Sequence, residues 1–317
     1  MVKSRKTWFF AALLFLAIGV ILIVVAFYSV GFHVSGFNTV HYEPELTPLD
    51  RPYDKIIIDG ASCDVIIMTP QTRSAFPEYQ DLEITSPCVL SYNDGNSIFT
   101  ECGYRDRVLY ITRCDLRPWY EKIGYDFHTE SEQIVLFLDD MHFDTLDVTT
   151  SSGRIWLLSE AEIKEVQMKS VSGQLVAKDL FCNSLSMTST SGQIFLSSTL
   201  SDEMILKTVS GEIAISTTHS NETLHAMTTS GKISAETVSA GTLTLETTSG
   251  DIGFSDAEAI IAVVLESVSG DIEGSLSSGK RFTAKTTSGD IEIPADEPHE
   301  AQCIVTTTSG DIEITIE

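Results

Sequence analysis

Six acidic residues in the last third of the chain have the type and the spacing to bind a cation. They are Asp271, Glu273, Asp290, Glu292, Asp311 and Glu313. Each Asp-x-Glu pair follows a Ser-Gly dipeptide, so units stacked about 4.8 Å apart would align the carboxylates in two columns. Carboxylates this close raise one another's pKa or recruit cations. We predict at most a weak site for Ca²⁺ or another divalent cation, and no other cofactor. The alternative is a solvated surface whose charge discourages aggregation.

Catalytic chemistry has little support in the sequence. A hydroxyl stands three residues before each of nine glycines, but no His or Lys recurs at a matching offset to act as its base. The seven histidines are scattered, and Arg117 to Tyr120 is the one aromatic-rich loop with a nearby base. We therefore predict no catalytic residues and no enzyme. The alternative is a carbohydrate-active β-helix enzyme at the cell surface, with Trp119 and Tyr120 stacking on a sugar.

Cysteine spacing does not indicate a metal site. Cys63, Cys88, Cys102 and Cys114 cluster before the repeats without a Cys-x-x-Cys pair. A disulfide would stabilise this less regular region, and four cysteines leave three pairings open.

The elements that position these residues are repeats. Ser-Gly followed by a variable residue and Ile or Leu occurs nine times, with spacings of 20, 19, 19, 20, 19, 20, 19 and 21 residues. The glycines are Gly153, Gly173, Gly192, Gly211, Gly231, Gly250, Gly270, Gly289 and Gly310. A period this regular is typical of stacked structural units.

Apolar alternation within each repeat indicates strands with one buried face. Around Gly192, the apolar residues Leu185 and Met187 precede the glycine, and Ile194 and Leu196 follow it. The alternation shifts by one residue at Ser-Gly, so the strand must bend there, and glycine tolerates the dihedral angles. We predict two short strands around a corner, then a variable connection. The parity of the hydroxyl three residues before each glycine places it inside, where stacked hydroxyls can bond between units.

These patterns predict an all-β protein, a β-solenoid of about nine repeats of 19 to 21 residues over 146–317. Residues 51–145 contain short strand-like segments and predict an irregular β cap, which such a stack needs at its end. The chain ends at Glu317 directly after a repeat, which predicts an uncovered last strand. That edge could bind a partner or a second copy, although its acids oppose association.

The N-terminal residues determine the predicted location. An uninterrupted apolar run from Trp8 to Tyr28 is long enough to span a bilayer, and Lys3, Arg5 and Lys6 precede it. We predict a cytoplasmic tip at 1–7, a transmembrane helix at 8–30, a linker at 31–50 and an extracytoplasmic domain in a single-pass cell-membrane protein. A cleaved signal peptide is the alternative.

Charge excludes one class of partner. The full chain has a net charge of −25, and the part after residue 30 has 17 basic against 45 acidic residues, about −28. Nucleic acid is therefore excluded as a partner, because phosphate binding needs positive charge. The membrane itself and a protein or cell-surface partner remain.

Several motifs together resemble a known family. The opening DKIIID-GASCDVII, the strand IVLFL, the segment LDV-TTSSGRI and the repeated SGDI-x-I units resemble the bacterial putative-adhesin family, also called the toastrack domain, over about residues 50–317. The family has a proline after the intermediate strand, where this chain has Leu138-Asp139-Asp140. The resemblance implies a surface or periplasmic β-repeat domain, often joined to one membrane span and to cell-envelope stress systems. It implies no catalytic residues. The resulting prediction is a membrane-anchored, non-catalytic binding or scaffold protein, either an adhesin or a cell-envelope stress component.

Overall fold

The structure, a computed structural model, describes residues 16, 18–22, 24, 25, 28, 43–80, 82–84, 87–94, 97–117, 132–295 and 301–317. The described residues between 16 and 28 are helical. In this described part of the chain, no helix combines the length and the apolar character that a membrane crossing requires. Much of the predicted span from Trp8 to Tyr28 lies outside the described residues, as do the tip at 1–7 and the linker up to residue 42.

The described chain forms nineteen strands that join one sheet. In chain order they are β1 (Glu43–Pro48), β2 (Lys55–Asp59), β3 (Asp64–Met68), β4 (Cys88–Asn93), β5 (Ile98–Arg105), β6 (Val108–Asp115), β7 (Gln133–Phe137), β8 (His142–Thr150), β9 (Ile155–Ser170), β10 (Leu175–Thr188), β11 (Ile194–Lys207), β12 (Ile213–Thr228), β13 (Ile233–Thr247), β14 (Ile252–Glu266), β15 (Ile272–Leu276), β16 (Arg281–Lys285), β17 (Ile291–Glu292), β18 (Gln302–Thr306) and β19 (Ile312–Ile316). The predicted all-β solenoid is confirmed.

Parallel pairing advances by one repeat from strand to strand. Ile194 in β11 lies opposite Ile213 in β12, which lies opposite Ile233 in β13. Strands β9 to β14 contain 14 to 16 residues each, because each strand contributes to two layers. The first part of each strand follows one Ser-Gly corner, and the last part precedes the next corner. We name each layer by its corner glycine.

The predicted alternation is confirmed by burial. Leu185 and Met187 before Gly192, and Ile194 and Leu196 after it, are each at most 1% exposed. The same positions in neighbouring layers belong to one apolar core that continues from the cap to the far end of the stack. Burial of these side chains is the main favourable contribution to folding.

The predicted variable connection is wrong, because the strand continues through it. Six residues after the corner glycine, five layers have a residue with a φ between 48° and 55°. These residues are Asp179, Ser198, Thr217, Thr237 and Asp256. The left-handed residue turns the strand, and pairing resumes directly afterwards, with Phe181 opposite Leu200. We call the stretch from seven to ten residues after each corner glycine the narrow side.

The corner glycines are required by a close approach between layers. A Cβ on Gly211 would lie 1.9 Å from the carbonyl oxygen of Gly192, and a Cβ on Gly173 would lie 1.7 Å from that of Gly153. A real Cβ cannot approach an oxygen this closely, so only glycine fits in this column. The expectation that glycine is needed for its backbone dihedral angles holds for Gly289 and Gly310, which have φ values of 149° and 155°.

The predicted column of inward hydroxyls is confirmed and bridges the same corners. Thr208 Oγ1 donates to the Gly192 carbonyl at 3.0 Å and accepts the Gly211 N–H at 3.2 Å. Thr228 makes the corresponding bond to the Gly211 carbonyl at 3.0 Å. The buried Gly192 carbonyl is thereby satisfied by a side chain of the next layer, and the Gly211 N–H by the same hydroxyl of its own layer.

The cap begins the stack with two further parallel layers. Strands β2 and β3 pair with β8 and β9, and β6 and β7 lie beneath them. Antiparallel β5, β4 and β1 then close this end. Residues Glu43–Pro48, predicted to be linker, instead form β1. This strand pairs only with β4 among the described residues, and an edge strand accommodates Pro44 and Pro48, which have no N–H to donate.

Layer order at the far end differs from chain order. The second half of β14 pairs with β18, and β18 pairs with β16. Similarly, β15 pairs with β19, and β19 pairs with β17. The final layers therefore follow in the order Gly270, Gly310, Gly289. The prediction of an uncovered last strand is wrong, because β19 is paired on both sides and the end of the described stack is formed by β16 and β17.

We expect Gly211→Ala to lower the free energy of unfolding by about 3 kcal/mol, because its Cβ would force two layers apart. Gly253→Ala is the matched control, since its Cβ would lie 3.7 Å from the nearest atom, on Lys232. The control should change stability by less than about 0.5 kcal/mol. Urea unfolding of both variants tests this, and equal effects would contradict the close-approach explanation.

Candidate functional site

The structure brings the six predicted acidic residues together in two rows. Glu273 lies opposite Glu313, which lies opposite Glu292. In the neighbouring row, Asp271 Oδ1 accepts the Asp311 N–H at 2.9 Å, and Asp311 Oδ1 accepts the Asp290 N–H at 2.8 Å. All six residues are exposed. The rows follow the layer order, so the residues numbered 311 and 313 lie in the middle.

The aspartates have a structural task at this position. The carboxylates of Asp271 and Asp311 each satisfy a backbone N–H of the next layer, as Asp251 also does for Asp271 at 3.1 Å. Among the residues that the structure describes, no group of three or more His, Cys, Asp or Glu side chains is arranged to hold a metal ion. The weak cation site stays a prediction, and hydrogen bonding to the corner accounts for the aspartates on its own.

A groove of about 540 Å³ crosses the narrow side of the first layers. Phe181 and Leu200 lie in its floor and are 43% and 38% exposed. They occupy equivalent positions eight residues after the corner glycine, and they are direct register partners in β10 and β11. The next residue in this row is His219, which lies opposite Leu200. The exposed apolar side chains of this row are therefore limited to two consecutive layers.

Charged and polar side chains form the rim of this groove. Lys164 Nζ lies 2.6 Å from Asp144 Oδ1, and His142 Nε2 lies 3.0 Å from Glu162 Oε2. His142 Nδ1 also contacts Asp140, and this hydrogen bond raises the pKa of His142, with the charge of Asp140 as the next cause. The imidazolium form is thereby favoured. An apolar floor with a charged rim is typical of a surface that binds another molecule.

Sequence reasoning missed this groove because it treated the narrow side as variable connection. A signal was present, since Phe181 and Leu200 both stand eight residues after a corner glycine. Their outward direction depends on the left-handed residues Asp179 and Ser198, which neither composition nor apolar alternation reveals.

A hydrogen-bonded chain of side chains extends from the groove along the narrow side. Asn221 Nδ2 donates to Asp202 Oδ1 at 2.8 Å, and His219 contacts both Asn221 and Ser239. A serine beside a histidine is the start of an acyl-transfer site, but such a site also needs N–H donors for an oxyanion. Ser239 lies within β13, whose backbone pairs with β12 and β14 on both sides. The chain is better explained as a link between layers.

The cysteines are free thiols in the structure. Cys63 Sγ donates to Glu132 Oε2 at 3.3 Å in the cap, and burial raises its pKa to about 12. Cys303 lies in the core of the stack, and burial also raises its pKa to about 12. Both thiols stay protonated at neutral pH, which is unsuited to nucleophilic chemistry. Trp119 and Tyr120, which the alternative enzyme hypothesis assigns to sugar stacking, lie outside the described residues.

One ion pair joins the cap to the first Ser-Gly layer. Arg154 donates from its backbone N–H and its guanidinium to Asp64, with the shortest side-chain contact at 2.6 Å. The guanidinium also lies 4.7 Å from the ring centre of Trp156. Arg154, the residue after the first corner glycine, thus makes a structural contact with the cap.

Comparison with known proteins gives a family match. The family model described as Toastrack DUF4097 matches residues 53–237 and 201–317. A search of the curated proteins gives no match. Among solved structures, a putative adhesin from Bacteroides fragilis is 12% identical, with a TM-score of 0.47 over 87% of this chain and 97% of its own. A putative adhesin from Parabacteroides distasonis is also 12% identical, with a TM-score of 0.38 over 87% and 98%. A putative cell adhesion protein from Clostridium sporogenes is 8% identical, with a TM-score of 0.24 over 87% and 100%.

Proposed function

The chain belongs to the toastrack DUF4097 family, and from this premise we propose that it is a non-catalytic binding or scaffold protein whose narrow-side groove contacts a partner protein. The observation that carries the proposal is the pair of exposed apolar side chains, Phe181 and Leu200, within a concave surface. On the described narrow side, the neighbouring outward residues are mostly polar or charged, so these two side chains offer a local apolar contact.

The groove suits a protein partner by its composition. Buried apolar contacts surrounded by polar groups are the usual anatomy of a protein interface. The rim ion pairs, Lys164 with Asp144 and His142 with Glu162, would direct the orientation of a partner more than its affinity. The rigid stack beneath them positions these side chains without a loop that must be ordered on binding.

We further propose that the N-terminal segment anchors this domain to the cell membrane, with the domain on the outer side. The support is the apolar run from Trp8 to Tyr28 and the positive charges at Lys3, Arg5 and Lys6. The domain would then bind beside its own membrane, as a cell-envelope stress component, or contact another surface, as an adhesin.

We expect the full chain to remain in the membrane fraction after washing with alkaline carbonate, because a spanning helix is not released by loss of surface charge. A variant lacking residues 1–30 should be released. Intact mass of the retained protein should include residues 1–28. Extraction of the full chain, or a mass without those residues, would contradict the anchor.

A photo-crosslinking amino acid at Phe181 should capture a specific protein partner in cells, because this side chain lies in the groove floor. The same substitution at Ile205 is the matched control, since this apolar residue is 49% exposed and does not line the groove. We expect a discrete crosslinked species at Phe181 that is reduced at least tenfold at Ile205. Mass spectrometry of the captured protein distinguishes a neighbouring membrane protein from a component of another surface. Equal capture at both positions, or none at Phe181, would contradict a binding role for the groove.

A further inference from the structure

Residues 301–317, which we call the inserted segment, occupy a slot between two layers that precede them in the chain. On one side, β18 and β19 pair with β14 and β15; on the other, they pair with β16 and β17. The chain goes from the Gly270 layer to the Gly289 layer, which is two layers away. It then returns to form the Gly310 layer between them. The inserted segment is thus held by pairing on both sides, and a separate stretch of chain forms the end layer.

The corner itself does not determine which segment fills the slot. Residues 286–293 and 307–314 have the same sequence, TTSGDIEI. Their hydroxyls make the same contact with the preceding layer, from Thr307 to the Gly270 carbonyl at 3.3 Å and from Thr286 to the Gly310 carbonyl at 3.1 Å. If the inserted segment left, residues 286–293 could close onto the Gly270 layer with equivalent corner contacts.

The flanking residues favour the observed order. After the shared sequence, Thr315 and Ile316 continue to pair with Ser275 and Leu276. Glu317 then bonds Ser275 Oγ at 2.8 Å. In the end layer, Pro294 follows instead, and a proline cannot donate a hydrogen bond to a further strand. The inserted segment therefore gains contacts in the slot that residues 286–293 would lack.

Like charge opposes this arrangement. Insertion places Asp311 between Asp271 and Asp290. It also places Glu313 between Glu273 and Glu292 in the second row. These carboxylates repel one another at the spacing of adjacent strands, and the repulsion is stronger at low salt. The segment is held by backbone pairing and loosened by charge.

We propose that the inserted segment exchanges between copies of the chain, so that each copy in a dimer fills the slot of the other. The contacts in the slot are the same in both arrangements, because the segment brings its own strands and corner. The chain from Ile293 to Gln302 can reach up to about 30 Å when extended. The turn before β16 stays attached to β14 in both arrangements, because the buried Lys280 Nζ contacts Glu258 Oε1 at 2.7 Å.

The test uses the full chain in detergent with cysteines at Val264 and Ile304, which are half-buried register partners on β14 and β18. Unlabelled and ¹⁵N-labelled copies of V264C/I304C are mixed, incubated, oxidised and digested. Exchange predicts disulfide-linked peptides with one light and one heavy partner, at a fraction that rises with protein concentration. The matched control is T244C/V264C, because these residues are register partners on the continuous strands β13 and β14. It should yield same-label pairs. Same-label pairs alone from V264C/I304C would overturn the proposal.

Salt concentration tests the cause of the exchange. Screening of the acidic rows should slow release of the segment within one copy, so the amides of β18 and β19 in the monomer should exchange at least threefold more slowly at 500 mM NaCl than at 20 mM NaCl. Equal exchange rates at both concentrations would overturn like-charge repulsion as the force that loosens the segment.

Discussion

The contact between successive corner glycines is the constraint on which the whole stack depends. The carbonyl oxygen of one glycine lies so close to the Cα of the next that no side chain fits between them, as at Gly192 and Gly211. A Thr or Ser hydroxyl from the next layer accepts or donates at the same place, so the closely packed backbone is also satisfied. This contact sets the layer spacing and the register, and the alternating apolar side chains can then form one continuous core.

Because the corner holds the stack, the outward positions are free to differ between layers. The residue directly after the corner glycine changes from Arg154, an ion-pair partner of the cap, to Asp311, which bonds the backbone of the adjacent layer. On the narrow side, the row changes from Phe181 and Leu200 to His219. Function on such a scaffold depends on local outward chemistry, which supports a binding protein whose specificity is confined to a few layers.

The repeats, the buried alternation and the hydroxyl column could be predicted from sequence because each depends on residue types at a fixed period. The turn six residues after each corner glycine could not be predicted. Its left-handed residues, such as Asp179 and Thr217, are not glycines and are not of one residue type. Consequently, the outward direction of Phe181 was also missed. Layer order could not be predicted either, because TTSGDIEI occurs twice and its corner contacts are identical. Flanking differences, such as Thr315 and Ile316 against Pro294, distinguish the two segments.

Corner contacts hold adjacent layers together whatever their order in the chain, and the residues that flank the corner place β18 and β19 within the stack. Hydrogen exchange of the backbone amides, followed by mass spectrometry, measures this layer order, because strands at the end of a stack open more readily than strands within it. We expect slowest exchange in β12, intermediate exchange in β18 and β19, and fastest exchange in β16 and β17. Faster exchange in β18 and β19 than in β16 and β17 would contradict this layer order.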